Sequence, residues 1–400
     1  MSRVLLLCLL VAAVATLVLP GCSRDGTFRL IIRANVNQAG VPQGNGVSNM
    51  DDVRLDGGGR YVVFTHSMSL VSLDTNGVDD VYRYDTVERR IQRISVSSSG
   101  LGGPLPSIRG FASGDATAVI FQTQNSFDVG HTQGTNAVYL NNLVTGQTLL
   151  VAVDAVPTGI SFDGTTVAYT SGGQVYVATI TTFPPVVAAV ANGDHGQLSG
   201  DGRYLAFESD DTSLVAGAPG AGHTGVFVAD MQLVTPTFTC VSRNYLGAVL
   251  PTDARLHDFS SDGRVVVFDS NDTVVSTIGG GAVRIYTNDW QEAQPTLRHI
   301  GALRSSSYGR HDMVRTARVS GDGRYVLIEK GPVPYTLTEV FDRQTGEFEL
   351  ASSDAASLDP GGECLNGDIS DDGLRVAFIV SDDAVQVIPP AGTGVFVAER

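Results

Sequence analysis

The chain has 400 residues, of which 46 are glycine, 42 are acidic and 26 are basic, so its net charge is −16 at pH 7. Apolar residues make up 42 % of it, too large a share for a disordered chain. A nucleic-acid-binding surface needs clustered basic residues, and this composition argues against nucleic acid as a partner. A folded, turn-rich and acidic protein remains.

The first 22 residues have the organisation of an export signal. Arg3 gives a positive start, residues 4–18 are almost wholly apolar, and Leu19-Pro20-Gly21-Cys22 ends the segment. The apolar run is shorter than the ~20 residues that a membrane span requires. We therefore predict a signal peptide over residues 1–21, with an uncleaved membrane anchor as the alternative.

The end of this segment resembles a bacterial lipoprotein signal, in which Leu-x-Gly-Cys precedes cleavage and the cysteine is lipidated. Leu19, Gly21 and Cys22 fit that pattern, and Pro20 is unusual for the middle position. The resemblance implies lipid on Cys22, attachment to the membrane through this anchor only, and a location in the cell envelope. Ser23 after the cysteine, rather than Asp, implies the outer membrane, on its periplasmic or surface face.

A short sequence pattern, called the phrase below, occurs seven times after this segment. It consists of a turn, which contains Asp-Gly in most copies, followed by an apolar run that usually ends in an aromatic residue. Asp-Gly allows positive φ at low cost and makes a tight hairpin turn. The β-branched and aromatic run after it is typical of a strand. The copies occupy 56–64, 113–121, 161–169, 199–207, 260–268, 320–328 and 370–378.

A second alternating strand, a polar turn and a third strand follow most of these phrases, as at 81–85 and 91–96. With a short strand before the turn, each repeat has four antiparallel strands, which is the size of a propeller blade. No stretch outside the signal has a convincing helical period. We predict an all-β fold, a seven-bladed β-propeller of four-stranded antiparallel blades, as a single domain over residues 22–400.

The seventh repeat lacks a final strand, because the chain ends directly after 395–398. Segment 28–36 resembles the blade-ending segment 90–96, so we predict that the N-terminal strand completes the last blade and removes an open sheet edge. On that geometry Cys240 and Cys364 lie too far apart for a disulfide, and both are predicted to be free.

The Ser-x-Asp-Gly phrase and its apolar run resemble the TolB-like, WD-repeat-like β-propeller family, in which Ser-x-Asp-Gly-x-x-apolar-Ala-Phe opens each blade. The copies cover roughly residues 27–400. Members of that family include protein-binding modules, sugar-acting enzymes and regulatory domains of peptidases. The resemblance therefore implies the fold and leaves several functions open.

Propeller ligands usually bind in the central funnel, beside the innermost strands. The candidate ligand-binding residues there are Asp52, Arg109, His195, Arg255, His257, Arg315 and Asp368. Acids, arginines and histidines in one place can bind a polar ligand or transfer protons. The alternative is a solvated channel wall whose charges neutralise one another.

Asp74, Asn76, Asp79 and Asp80 place four oxygen-bearing side chains within seven residues, a type of loop that Ca²⁺ favours. Their spacing departs from the EF-hand loop. We therefore expect a self-capping polar turn and no cofactor, with Ca²⁺ as the alternative.

These observations favour a lipid-anchored envelope propeller that binds a protein or a glycan as a scaffold, without catalytic activity. We expect it to be monomeric. The alternative is a lyase or hydrolase acting on polysaccharide, with the acids and histidines of the funnel as proton-transfer groups. Such an enzyme needs His257 and Arg255, whereas a scaffold does not.

Overall fold

The computed structural model describes residues 28, 30–44, 47, 53–182, 184–217, 219, 222–232, 235–244, 247–270, 284–292, 296–300, 314–330, 337–351, 363–381 and 393–400. The predicted signal segment, Cys22 and Asp52 lie outside these residues. Within them, no helix is long and apolar enough to cross a membrane.

The described strands form seven four-stranded antiparallel sheets. The chain enters with β1 (Leu30–Arg33). Blade 1 contains β2 (Arg54–Leu55), β3 (Tyr61–His66), β4 (Asp80–Asp85) and β5 (Arg90–Arg93). Blade 2 contains β6 (Ser107–Ala112), β7 (Ala118–Thr123), β8 (Ala137–Asn142) and β9 (Gln147–Val153). Blade 3 contains β10 (Val156–Ile160), β11 (Thr166–Ser171), β12 (Gln174–Thr179) and β13 (Val186–Asn192).

The remaining blades repeat this order. Blade 4 contains β14 (Asp194–Leu198), β15 (Tyr204–Ser209), β16 (Gly225–Asp230) and β17 (Thr237–Cys240). Blade 5 contains β18 (Ala254–Phe259), β19 (Val265–Ser270), β20 (Arg284–Asp289) and β21 (Thr296–His299). Blade 6 contains β22 (Val314–Val319), β23 (Tyr325–Lys330), β24 (Leu337–Asp342) and β25 (Phe348–Leu350). Blade 7 contains β26 (Glu363–Ile369), β27 (Arg375–Ser381) and β28 (Gly394–Glu399).

Blade 7 is completed by the N-terminal strand, as the sequence predicted. Its order is β1-β28-β27-β26, and β1 pairs antiparallel with β28 from Leu30 opposite Glu399 to Arg33 opposite Phe396. The Arg33 guanidinium also lies over the Phe396 ring, 5.6 Å from its centroid. The predicted all-β, seven-bladed propeller is thereby confirmed.

The apolar core lies between neighbouring blades. One buried cluster joins Val63 and Val81 of blade 1 to Val119 and Phe121 of blade 2, and another joins blade 7 to blade 1. Six blades also place an aromatic residue of the second strand opposite one of the third, with the rings in contact. These pairs are Phe64–Tyr82, Phe121–Tyr139, Tyr169–Tyr176, Phe207–Phe227, Phe268–Tyr286 and Phe378–Phe396.

The recurring turn is held by its own side chains, as in blade 4. The Ser199 hydroxyl donates to Asp201 at 2.6 Å and accepts the Tyr204 N–H at 2.9 Å. Gly202 has φ +69°, a conformation that glycine adopts without steric cost. This local network explains why the phrase predicts the strand boundaries well.

Cys240 lies at the end of the outer strand β17, where it is buried and not in a disulfide. Burial raises the pKa of its thiol. Cys364 lies within the inner strand β26, on another blade. Its side chain is outside the described part of the chain, so the prediction of a free thiol is confirmed for Cys240 alone.

Candidate functional site

The seven turns between the first and second strands meet around the axis of the ring. Each turn donates one backbone hydrogen bond to the turn of the next blade, at N···O distances of 2.6 to 3.2 Å. The bonds run from Gly57 N to Gly114 O, Gly114 N to Phe162 O, Phe162 N to Gly200 O, Gly200 N to Ser261 O, Asp262 N to Gly321 O, Asp322 N to Asp371 O and Asp371 N to Gly57 O. We call this closed set the turn belt.

Two side chains occupy the opening inside the turn belt. A Cβ added at Gly114 would overlap the ring of Phe162, and one added at Gly321 would overlap the carboxylate of Asp371. The Ser261 hydroxyl donates to that carboxylate at 2.8 Å. Phe162 and Asp371 therefore narrow this end of the axial channel, and glycines make room for them.

A cavity of about 400 Å³ extends from the turn belt along the axis. The first strand of every blade contributes one equivalent residue to the cavity wall. This residue lies two positions before the Ser (Asp56 in blade 1) that begins the turn. These residues are Arg54, Phe111, Gly159, Gln197, Asp258, Arg318 and Asp368. The Arg54 guanidinium lies over the Phe111 ring, 5.0 Å from its centroid. The wall thus combines both signs of charge with one aromatic face.

Bulges in the inner strands turn further side chains toward the cavity. In β6 and β14 the register shifts at Arg109 and His195, whose φ values are 56° and 55°. A non-glycine residue in this left-handed region is uncommon and locally strained. Both side chains line the cavity, and the residues themselves are exposed.

His257 of blade 5 lies between two hydrogen-bonding partners. Its Nε2 is 2.9 Å from Asp269 Oδ2, and its Nδ1 is 3.3 Å from the backbone nitrogen of Ala317 in blade 6. Because the Ala317 N–H donates to Nδ1, this network assigns the ring hydrogen to Nε2, which donates to the carboxylate. Both ring nitrogens of His257 are therefore engaged in contacts within the protein.

Four carboxylates of the first and second strands, of which Asp258 and Asp368 line the cavity, also link one blade to the next. Asp258 of blade 5 accepts the Val319 N–H of blade 6 at 2.7 Å. The other links are Leu55 N–H to Asp368, Leu256 N–H to Glu208 and Gly367 N–H to Glu329. Since a carboxylate that accepts a buried N–H stabilises the structure, these acids have a structural task.

Burial shifts the proton affinity of several of these groups. Desolvation raises the pKa of Asp258 to about 6, helped by the nearby charge of Asp368 and opposed by that of Arg318. It also raises the pKa of Asp371 in the turn belt. The His195 pKa is raised, first by its hydrogen bond to Glu208, whose Oε2 lies 3.4 Å from Nδ1.

The predicted funnel residues divide into three groups. Arg109, His195, His257 and Asp368 line the cavity as expected. Arg255 is exposed on β18, before the bulge between Leu256 and Asp258, and does not line the cavity. Arg315 lies on β22 with its side chain outside the described part, and Asp52 is outside it altogether.

Sequence reasoning missed Arg54, Glu208, Asp258 and Arg318. Three of the four sit two residues before the first residue of a turn, so their position relative to the repeated phrase was the available signal. Glu208 lies on the second strand of blade 4 and carries no such signal.

The loop with Asp74, Asn76, Asp79 and Asp80 closes on a buried arginine. Arg93 lies 2.7 Å from Asp80 and 3.4 Å from Asp74, and both carboxylates are almost fully buried. Asn76 donates to Asp80 at 2.9 Å. Arg93 is therefore the cation that these carboxylates bind in this structure. Among the residues described, no group of three or more His, Cys, Asp or Glu side chains is placed to hold a metal ion.

No protein-family model matches the chain, and no curated protein matches it by sequence. Solved structures match it by shape. The β-propeller domain of the Trilobed protease from Pyrococcus furiosus aligns at 9 % identity over 89 % of this chain and 96 % of that one, with a TM-score of 0.57. That domain is described as having an open velcro topology, whereas β1 closes the ring here.

An oligogalacturonate lyase in complex with manganese aligns at 11 % identity over 88 % of this chain and 89 % of that one, with a TM-score of 0.56. TolB from Acinetobacter baumannii aligns at 14 % identity over 85 % of this chain and 80 % of that one, with a TM-score of 0.39. The likeness to the protease domain and to the lyase is one of fold. It confirms the β-propeller to which the repeated phrase pointed.

Proposed function

We propose that this protein is a lipid-anchored β-propeller of the bacterial cell envelope that binds a protein or a glycan and catalyses no reaction. The observation that carries the proposal is the use of the acids in and beside the channel. Asp258 and Asp368 accept backbone N–H groups from the next blade, and so do Glu208 and Glu329. Groups in such links hold the ring together.

A general base needs a lone pair within reach of the substrate proton. The Nδ1 lone pair of His257 accepts the Ala317 N–H, and its Nε2 hydrogen is donated to Asp269. Protonation at Nδ1 would break the link between blades 5 and 6. This arrangement supports a structural role for the histidine that the enzyme hypothesis needs most.

The same cavity supports binding of a polar ligand. Arg109 and His195 are exposed at its wall, and Arg54 lies over the face of Phe111. Arginine donors and an aromatic face are groups that recognise polar ligands, glycans among them. Phe162 and Asp371 narrow the opening at the turn belt, which favours entry from the opposite end.

A crosslinking pull-down from intact cells tests the binding function. We expect either one envelope protein or one glycan to be recovered with the wild type, and recovery to fall when Arg109 and His195 are both replaced by alanine. Recovery that is unchanged in this variant would rule out the channel as the binding surface. Asp210→Ala, an exposed change on blade 4, is the control.

The envelope location and the lipid anchor rest on the signal segment and Cys22. We expect Cys22→Ser to move the protein from the membrane fraction to the soluble fraction, and Ser23→Ala to leave it at the membrane. A Cys22→Ser protein that still needs detergent for extraction would contradict lipidation.

The alternative function is a lyase or hydrolase on polysaccharide, favoured by the fold shared with an oligogalacturonate lyase and by the His195–Glu208 pair at the cavity. Incubation with oligogalacturonate, with and without Mn²⁺, tests it directly. Cleavage products, unsaturated for a lyase and saturated for a hydrolase, that disappear in folded His195→Gln and His257→Gln variants would establish the enzyme and overturn our proposal.

A further inference from the structure

Blade 3 is distinguished by its lack of charge. Residues 164–193, thirty in succession, contain no Asp, Glu, Lys, Arg or His, although the whole chain carries a net charge of −16. Strands β11, β12 and β13 lie within this run. One side of an otherwise acidic ring is therefore electrically neutral.

The outer strand of this blade, β13, is exposed and apolar. Val186 is 63 % exposed and Val187 is 46 % exposed, and Ala188 and Ala189 are exposed as well. Because successive side chains of a strand point to opposite faces, both faces of this part of β13 are uncovered. In its sheet β13 pairs only with β12, so the other side of its backbone has no partner strand within the blade.

Two other outer strands carry exposed charges of the kind by which proteins protect a sheet edge. β5 contains Arg90 and β21 contains Arg298, while β1 and β25 are only four and three residues long. β9 is uncharged but partly covered, and β17 is only four residues long. β13 combines seven residues, no charge and exposure on both faces, which is the combination that favours pairing with another strand.

The chemistry of the edge decides what can cover it. An open sheet edge carries N–H and C=O groups that lose water in a bilayer core, and such edges do not face lipid hydrocarbon. An added β-strand satisfies the same groups with hydrogen bonds. The partner surface is therefore a strand rather than a membrane.

A second copy of this chain fits the edge by charge. Two molecules that each carry −16 repel one another least where neither contributes a charged side chain, and β13 lies at the rim of that neutral region. Antiparallel pairing of β13 with itself is a two-fold contact, in which both copies use the same surface. It would join two four-stranded blades into one sheet of common size.

We propose that the protein forms a two-fold dimer by antiparallel pairing of β13, residues 186–192, with β13 of a second copy. The proposal departs from the monomer expected from the sequence and is independent of the ligand of the channel. Small side chains at Ala188 and Ala189 allow the two strands to approach without steric conflict.

Sedimentation equilibrium of the full chain in a nonionic detergent, over a range of protein concentrations, tests the proposal. We expect the wild type to approach twice the chain mass of 42.0 kDa. Val187→Lys with Ala189→Lys places like charges across the interface and should give a folded monomer whose circular dichroism spectrum matches that of the wild type. Val144→Lys, on an exposed turn of blade 2, is the matched control and should remain a dimer.

Hydrogen exchange of unmodified protein gives a second reading that no substitution can disturb. The backbone amides of residues 186–192 should exchange more slowly as the protein concentration rises. Higher salt should strengthen the dimer, because it screens the repulsion between the two negatively charged copies. A wild type that stays monomeric, or a lysine variant that stays dimeric, overturns the proposal. A membrane role for the strand would also overturn the proposal. It would be shown if Cys22→Ser protein were monomeric and bound phosphatidylethanolamine–phosphatidylglycerol vesicles, and if this binding were lost when β13 carried the two lysines.

Discussion

The carboxylate of Asp368 in blade 7 accepts the backbone N–H of Leu55 in blade 1 at 2.8 Å, although the two residues are 313 positions apart. The contact joins the last inner strand to the first, beside the axis. It belongs to the series in which Glu208, Asp258 and Glu329 each accept an N–H from the next blade. These four acids, two of which line the channel, therefore connect the blades of the ring.

Replacing Asp368 by alanine should destabilise the protein. The Leu55 N–H would lose its acceptor in a half-buried position, which typically costs ~1–3 kcal/mol in the free energy of unfolding. Urea unfolding followed by circular dichroism measures the change. Asp210→Ala, which removes an exposed carboxylate, should be nearly neutral. Equal stability of the two variants would refute the connecting role.

Deletion of residues 27–37 should destabilise the whole ring rather than one end of it. The deletion removes β1, the Arg33 stack on Phe396 and the Asn35 side chain that accepts the Val395 N–H. Blade 7 would be left with three strands and an open edge. Calorimetry should show a lower melting temperature, with Val41→Ala as a control at an exposed site. An unchanged transition would show that closure by β1 contributes nothing.

Asp56 occupies the position that serine holds in the other six turns, and Gly58 occupies the position of the turn aspartate. The Asp56 carboxylate accepts the Tyr61 N–H at 2.7 Å, just as the Ser199 hydroxyl of blade 4 accepts the Tyr204 N–H. Burial raises the pKa of Asp56 from 3.8 to about 6. The folded state therefore holds this proton more tightly than the unfolded state does.

The sign of the pH effect follows from that difference. Between pH 4 and 6 the folded protein binds the extra proton, so the contribution of Asp56 to stability falls as pH rises and is lowest above pH 6. Asp56→Ser with Gly58→Asp restores the pattern of the other turns without the buried carboxylate. The variant should be more stable than wild type at pH 7, by up to about 3 kcal/mol, and nearly equal at pH 4. A stability difference that does not change with pH would contradict the raised pKa.

Gly114 and Phe162 should be energetically coupled. A Cβ at Gly114 would overlap the Phe162 ring, so Gly114→Ala should cost ~1–3 kcal/mol by overpacking. Phe162→Ala removes the obstacle, and adding Gly114→Ala to that variant should cost much less. A double-mutant cycle from urea unfolding measures the coupling. Additive effects would show that the ring does not lie against Gly114.

The blades were predictable because each turn is stabilised by hydrogen bonds between residues that are close together in the sequence. Serine, aspartate and glycine in Ser199-Gly200-Asp201-Gly202 make their hydrogen bonds within a few residues, so the sequence pattern and the structure coincide. Closure by β1 was predictable for a different reason, since one repeat lacked a strand and one strand lacked a repeat.

The channel was less predictable because bulges change which residues face it. Arg255 and His257 share one face of a regular strand, but the register shift between Leu256 and Asp258 leaves only His257 at the cavity. One of the two partners of His257, and the partner of Asp258, come from blade 6, some sixty residues away. Such contacts depend on the packing of neighbouring blades, which no local pattern records.

The turn belt has a consequence that follows from its being a circle. All seven of its bonds point the same way round, with each blade donating to the next and blade 7 donating to blade 1. Peptide dipoles arranged in a closed circle cancel, so unlike a helix the belt has no charged ends to attract ions. It also has no terminal bond from which to fray. Moving one blade outward breaks a bond on each of its sides, which couples the opening of any blade to that of its two neighbours.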